Sequence, residues 1–272
     1  MYSVRETAYF FNCFLVSKAI IGGKRMRKFL VLALGAMLIC SAPVFAGGKV
    51  HWGYSGHGGP EEWGKLSSDY AVCGSGKNQS PINLTGMIEA DLEPIKFNYR
   101  NVTLSVENNG HTIKVDYPEG SSIQIDGKTF NLLQFHFHTP SENQIEGRSF
   151  PMEAHLVHSD KDGSLAVVAV MFEKGGANPV ISAIWDHMPQ KAEEKVADSS
   201  VTIDVNKMMP VKRDYYRFNG SLTTPPCTEG VRWLVLKNSV PASAEQFGKY
   251  GKTMHGDTNR PVQPVNARPV LK

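Results

Sequence analysis

Cysteine is scarce in this chain: there are four in 272 residues. That excludes a disulfide-dense scaffold and a structural zinc module built from thiolates. Charge of one sign is also lacking, because 29 basic side chains nearly cancel 26 acidic ones. Six of the basic residues (Arg5, Lys18, Lys24, Arg25, Arg27, Lys28) fall in residues 1–46, with Glu6 as the one acid there. What remains is slightly acidic and has no basic stripe, so nucleic acid is not read as a partner. The apolar run Phe29–Ile39 has eleven residues, short of the roughly 20 that a membrane-spanning helix needs. Repeats, low-complexity tracts and Pro/Gly/Ser-rich linkers are missing from residues 47–272, which therefore read as one domain. With 41% hydrophobic and 20% charged residues, the composition also excludes intrinsic disorder.

Residues 1–46 read as a leader rather than as part of the fold. Lys24, Arg25, Arg27 and Lys28 precede the apolar run, and Val44-Phe45-Ala46 offers small residues at the −3 and −1 positions of a cleavage site before Gly47. Met26 opens this pattern cleanly and is the expected translation start. Cys40 does not read as a lipid-anchored cysteine, because the Ile39 before it is too bulky. The mature chain is then expected in the periplasm or outside the cell, with no membrane span after cleavage. Cys13 and Cys40 leave with the leader. In an exported chain the remaining Cys73 and Cys227 most simply form one disulfide. It would close a loop of about 155 residues and stabilise by at most ~5 kcal/mol. Two buried free thiols are the alternative.

Strand patterns dominate the mature part. Val102–Val106, Thr112–Tyr117, Ser122–Ile125, Leu132–His138, Met152–His158 and Arg232–Leu236 carry apolar residues with strand character, and the early runs are separated by Asn108-Asn109-Gly110, Pro118-Glu119-Gly120 and Asp126-Gly127. Leu165–Phe172 is almost wholly apolar and reads as a central strand buried on both faces. Helical patterning is confined to Pro179–His187 and Ala242–Tyr250. The predicted fold is mainly β (α+β): a single domain with a large twisted, mostly antiparallel central sheet and short peripheral helices.

Nine histidines all lie in the mature part. In Gln134-Phe135-His136-Phe137-His138, alternation puts Gln134, His136 and His138 on one strand face and the phenylalanines on the other. Glu153, His155 and Val157 share a face of the next strand. If the two strands pair, His136, His138 and His155 supply three imidazoles with a position left open, the pattern of a catalytic zinc site. Gln134 and Glu153 could take the spare ring N–H groups. His158 points away from His155 and reads as a satisfied core histidine. His51, His187 and His255 read as surface or packing residues. His136-Phe137-His138 followed by Glu142 also fits the first metal motif of cupins, which would make Glu142 a ligand for iron or manganese. The flanking glycines are misplaced for that motif and its second half is absent.

Asn219-Gly220-Ser221-Leu222-Thr223-Thr224-Pro225-Pro226-Cys227 is an unusual run, and with it the chain resembles the α-class carbonic anhydrases. The resemblance spans the mature chain. It takes in His51-Trp52-Gly53-Tyr54, Cys73, Gln79-Ser80-Pro81-Ile82-Asn83, Asn108-Asn109-Gly110-His111, the two histidine strands, Ser141-Glu142 and Arg260-Pro261-Val262-Gln263-Pro264. It implies Zn²⁺ on His136, His138 and His155, and reversible hydration of carbon dioxide to bicarbonate by zinc-bound hydroxide. It implies catalytic roles for Glu142 and Thr223, which together select and orient the attacking oxygen. His111 becomes the proton shuttle, with Tyr54 and Asn109 along the proton path. Val157, Val167, Leu222, Val231 and Trp233 become the apolar wall for CO₂, and Thr224 a contact for water or bicarbonate. The Cys73–Cys227 disulfide, cis bonds before Pro81 and Pro226, and a monomer or homodimer are likewise implied.

The sequence departs from the family twice. Asn143 stands where many animal members carry a histidine, and Phe218 where a tyrosine is common, so support around the site is expected to differ. A catalytically silent relative used as a binding module, and a cupin-like oxygenase, are the competing readings.

Overall fold

Where β-branched and aromatic residues recur at every second position, the chain forms strands. The computed structural model describes residues 50–272, so the expected leader and the expected start at Met26 lie outside the described residues. Among these, the strands in chain order are β1 (Asn83–Leu84), β2 (Lys96–Asn98), β3 (Val102–Asn108), β4 (Ile113–Asp116), β5 (Ser122–Ile125), β6 (Lys128–His138) and β7 (Gln144–Ile145). They continue as β8 (Met152–Ser159), β9 (Leu165–Lys174), β10 (Glu194–Ile203), β11 (Tyr215–Ser221), β12 (Glu229–Leu236) and β13 (Val240–Ala242). The helices are α1 (Trp63–Leu66), α2 (Val72–Ser75), α3 (Pro179–Trp185) and α4 (Ala244–Met254).

One sheet of eleven strands runs β10-β3-β4-β6-β8-β9-β12-β11, with β5 on β6, β2 on β5 and β13 on β9. Pairing is antiparallel except where β9 meets β12 and β13, so the sheet is mixed at its centre. β9 explains its own sequence. Ala166, Val168, Val170 and Phe172 enter one core, while Val167, Ala169 and Met171 enter a second on the opposite face. A strand buried on both faces has no use for polar residues, hence the unbroken apolar run.

Six strands escaped the sequence reading: β1, β2, β7 and β13, which are two or three residues long, and the longer β10 and β11. β10 is an edge strand and mostly exposed, so it lacks the apolar alternation that marks a half-buried strand. β11, the opposite edge, includes Asn219-Gly220-Ser221. Gly220 is required there by close approach, since a Cβ would run into Ser80 Oγ and the rings of Trp233 and Phe218.

α3 starts at Pro179 because Asn178 Oδ1 accepts from Val180 N and Ile181 N, at 3.0 and 3.2 Å. α4 starts two residues later than expected. Ala242 belongs to β13, and Ser243 forms a capping box with Gln246. Trp185 Nε1 donates to Gln246 O at 2.9 Å, tying α3 to α4. The disulfide forms as expected between Cys73 and Cys227, with Cα atoms 5.0 Å apart. Ser80–Pro81 and Pro225–Pro226 are cis as expected, and so is Thr139–Pro140.

His158 is the satisfied core histidine that its position implied. Its Nδ1 donates to Ala166 O at 3.3 Å, and Tyr99 Oη lies 2.8 Å from its Nε2. Burial pushes its pKa down to about 4. The folded protein therefore keeps His158 neutral where the unfolded chain, near 6.5, takes up a proton. Stability from this group is complete above the unfolded pKa and is lost as pH falls from about 6.5 to about 4. The loss is on the order of 3 kcal/mol. Urea midpoints measured across that window are expected to fall less steeply for His158→Gln than for wild type. Parallel curves would show that another group sets acid stability.

Candidate metal centre

β6 changes face halfway along. Phe130 and Leu132 enter the main core, and so do Phe135 and Phe137, an odd-numbered pair after an even-numbered one. The switch is a β-bulge: Leu132 pairs with His158 but Gln134 pairs with Val157, leaving Leu133 extra and 47% exposed. Beyond the bulge, Gln134, His136 and His138 share the opposite face. Across from them, β8 places His155 beside His136 and Glu153 beside His138. The three imidazoles converge, with ring centroids 5.0 Å (His136–His138), 5.4 Å (His136–His155) and 4.6 Å (His138–His155) apart. One nitrogen from each lies within 4.8 Å of the others.

Two of the rings have one nitrogen hydrogen-bonded, and the third has one beside a carboxylate. His136 Nδ1 bonds Gln134 Oε1 at 2.9 Å, and His138 Nδ1 donates to Thr258 O at 2.6 Å. His155 Nε2 lies 3.0 Å from Glu153 Oε1, off the line of a good hydrogen bond. This leaves His136 Nε2, His138 Nε2 and His155 Nδ1 for a shared ligand, and His138 Nε2 is buried with no partner. Burial is the main cause holding all three pKa values below the usual imidazole range; the neighbouring rings add to it for His136 and His155. Neutral rings keep their lone pairs. Three such donors suit Zn²⁺ and leave a coordination position open. Gln134 and Glu153 stand where the sequence placed them.

Glu142 is buried beside the rings. Its Oε1 accepts from Arg260 N at 2.8 Å, and its Oε2 lies 3.5 Å from His138 Nε2. Burial pushes its pKa well up, while Arg260 N and the Thr223 side chain pull it down. Thr223 is itself buried, and no full hydrogen bond closes between it and Glu142 Oε2. Asn143 takes over the bracing expected of a histidine: its Nδ2 donates to Glu153 Oε1 and its N to Glu153 Oε2, both at 2.8 Å. Phe218 stacks on Trp233, centroids 5.9 Å apart. Val167, Val231 and Trp233 form one cluster with Val157 and Leu222 packed on it, and Trp233 lies 4.8 Å from His155. The five residues expected to form an apolar wall are thus brought together beside the His155 ring. Thr224 is half-buried, and its carbonyl accepts from Cys227 N at 2.8 Å.

His111 lies flat on Trp52, centroids 3.7 Å apart and planes 6° from parallel. A cavity of about 630 Å³ is lined by these two with His51, Tyr54, His255 and Asp257, among others. Tyr54 Oη is buried without a partner. Asn109 serves the turn: its Oδ1 accepts from His111 N at 3.0 Å and Thr112 N at 2.9 Å. His51 and His255 are exposed, and His187 pairs with Asp198 at 3.3 Å.

Several supporting residues were not foreseen. Arg260 is buried, donating to Gln79 Oε1, Ser80 O and Cys73 O, each at 2.8 Å. Nothing in a lone Arg-Pro marks a buried guanidinium. Thr112, Tyr250 and Thr258 form a hydroxyl cluster behind His138, and their sequence separation hides it.

The eukaryotic-type carbonic anhydrase family matches residues 58–272. A carbonic anhydrase from Neisseria gonorrhoeae is 48% identical over 244 residues, covering 88% of this chain and 96% of its own. One from Pectobacterium carotovorum is 45% identical over 240 residues, covering 88% and 98%. The α-carbonic anhydrase from Thermovibrio ammonificans, solved with the inhibitor sulfanilamide, matches with a TM-score of 0.80 at 49% identity, covering 83% of this chain and 100% of that one. The cupin reading falls with this: cupins are two-sheet jelly rolls, and this chain folds around one large sheet.

The His111 pKa is lowered, chiefly by burial and then by His51, while Glu193 raises it. His51→Gln is therefore expected to raise the His111 pKa, and Glu193→Gln to lower it, in an NMR titration of the imidazole C–H signals. Shifts of the opposite sign would place the charges wrongly.

Proposed function

We infer the reaction from a fixed premise: the chain belongs to the eukaryotic-type, or α-class, carbonic anhydrase family. We propose that it hydrates carbon dioxide reversibly to bicarbonate and a proton, with Zn²⁺ held by His136, His138 and His155. One observation carries this reading. Three neutral imidazoles turn one nitrogen each toward a common point, beside a buried carboxylate and a buried hydroxyl. Zinc in that position supplies a Lewis acid that lets a water molecule lose its proton near neutral pH; carbonic anhydrase is the standard illustration of that effect.

The chain's own residues do the rest. Beside a divalent cation Glu142 is ionised and only accepts hydrogen bonds. Thr223 then spends its single proton on Glu142, and its oxygen is left to accept from the attacking group. That fixes which oxygen species sits in the site and how it faces CO₂. Val157, Val167, Leu222, Val231 and Trp233 offer a small nonpolar molecule an unhydrated surface, and Thr224 contacts the product. His111 takes up the released proton and passes it to solvent, a role open to an imidazole. Tyr54 and Asn109 lie along that path. The leader in residues 1–46 and the Cys73–Cys227 bond support export to the periplasm or beyond.

Stopped-flow CO₂ hydration on residues 47–272, with metal content assayed in parallel, tests the reading. The expected result is one zinc per chain and rapid turnover, both lost in His138→Ala. Thr223→Val is expected to lower kcat/KM on the order of 100-fold with zinc retained. His111→Ala is expected to slow kcat in weak buffer, with recovery on adding imidazole. Stoichiometric zinc without turnover would overturn the catalytic reading.

A further inference from the structure

Behind His138 lie three buried hydroxyls that the reaction does not use. Thr112 Oγ1 and Tyr250 Oη each donate to Phe137 O at 2.6 Å. Tyr250 Oη lies 3.0 Å from Thr258 Oγ1 and 3.2 Å from Thr112 Oγ1. Thr139 N donates to Thr258 Oγ1 at 3.1 Å, and Phe137 N to Thr112 Oγ1 at 3.2 Å.

The proton count gives this cluster a direction. There are three hydroxyl protons. Two go to Phe137 O, from Tyr250 and Thr112, since a carbonyl oxygen accepts twice. Thr258 already accepts from Thr139 N, so its proton goes to Tyr250. Every group is then satisfied, and the Tyr250–Thr112 approach is left as a contact without a proton. Thr258 is also fixed by its own backbone, which donates to Thr139 O at 2.8 Å and accepts from His138 Nδ1 at 2.6 Å. His138 is thus clamped on the peptide before it, on the residue after it and on its ring. Tyr250, on α4, is the one side chain among the described residues that joins Phe137 O to Thr258.

We propose that Tyr250 is a positioning residue for His138: acting through Thr258, its hydroxyl holds the imidazole in the orientation that retains the metal. This rests on the reading of His136, His138 and His155 as the zinc site. Partners behind metal-bound histidines fix the tautomer and orientation of the ring, and losing one costs about 10–100-fold in affinity or activity. Tyr250 acts one bond further out. Without its Oη, Thr258 Oγ1 loses its acceptor and Phe137 O one of its two donors.

The test is the rate at which zinc-loaded protein releases metal to excess chelator. Tyr250→Phe keeps the ring and its stacking on Trp185, with centroids 5.7 Å apart in wild type. Release is expected on the order of 10-fold faster. Thr258→Val, which keeps the backbone carbonyl, is expected to do the same, and the double variant no more than either alone, because both act through one network. Melting of the metal-free proteins separates a structural role from a positioning one. Lower apo stability with wild-type release rates in both single variants would overturn the inference while leaving the zinc site standing. A wild-type protein that takes up no zinc would overturn the zinc reading, and this inference with it.

Discussion

The extra residue at Leu133 is the constraint on which the site depends. A regular strand carrying Phe130 and Leu132 into the core would carry Gln134, His136 and His138 there too, because side chains alternate with period two. The bulge between Leu132 and Gln134 shifts the register by one. Phe135 and Phe137 continue the core in their place. A single strand thereby anchors the sheet with four apolar side chains and presents two imidazoles on the reverse. β8 needs no bulge at that level, and its register alone sets His155 opposite His136.

Placing polar groups in a sheet interior is costly unless each finds a partner. Glu153 shows how this is met: it accepts from Glu142 N at 2.7 Å and from Asn143 N and Nδ2 at 2.8 Å, and it faces His155. Burial still holds its pKa up at about 7. Arg260 links these groups to the rest of the molecule. Its backbone fixes Glu142, and its guanidinium grips Ser80 O and Cys73 O. The disulfide, the Ser80–Pro81 turn and the buried carboxylate are therefore one connected unit. Among the buried groups left unsatisfied, His138 Nε2 and Glu142 Oε2 both lie at the centre of the site.

Much of this was legible in the sequence because it is periodic or local. Alternation found the strands that have one face in a core, and continuous apolarity found β9. The shared face of Gln134, His136 and His138 followed from spacing, and the cysteine pairing from there being two left. The bulge had a signal, the adjacent Leu132 and Leu133 that break the alternation, but two neighbouring leucines carry little information alone. β10 was illegible because an exposed edge strand has no core face to pattern. The hydroxyls behind His138, at Thr112, Tyr250 and Thr258, lie far from it in sequence, and threonine or tyrosine hydroxyls look alike wherever they occur. Asn143 shows the converse limit: a departure from the family pattern said that support would differ but not how, and its amide and backbone both hold Glu153.

Anomalous diffraction at the zinc edge, on crystals of metal-loaded protein, would show where the metal sits and which nitrogens hold it. A single zinc peak is expected within bonding distance of His136 Nε2, His138 Nε2 and His155 Nδ1, with Gln134, Thr258 and Glu153 on the opposite nitrogens. A peak bonded to Glu142, or to the other nitrogen of any of the three rings, would contradict it.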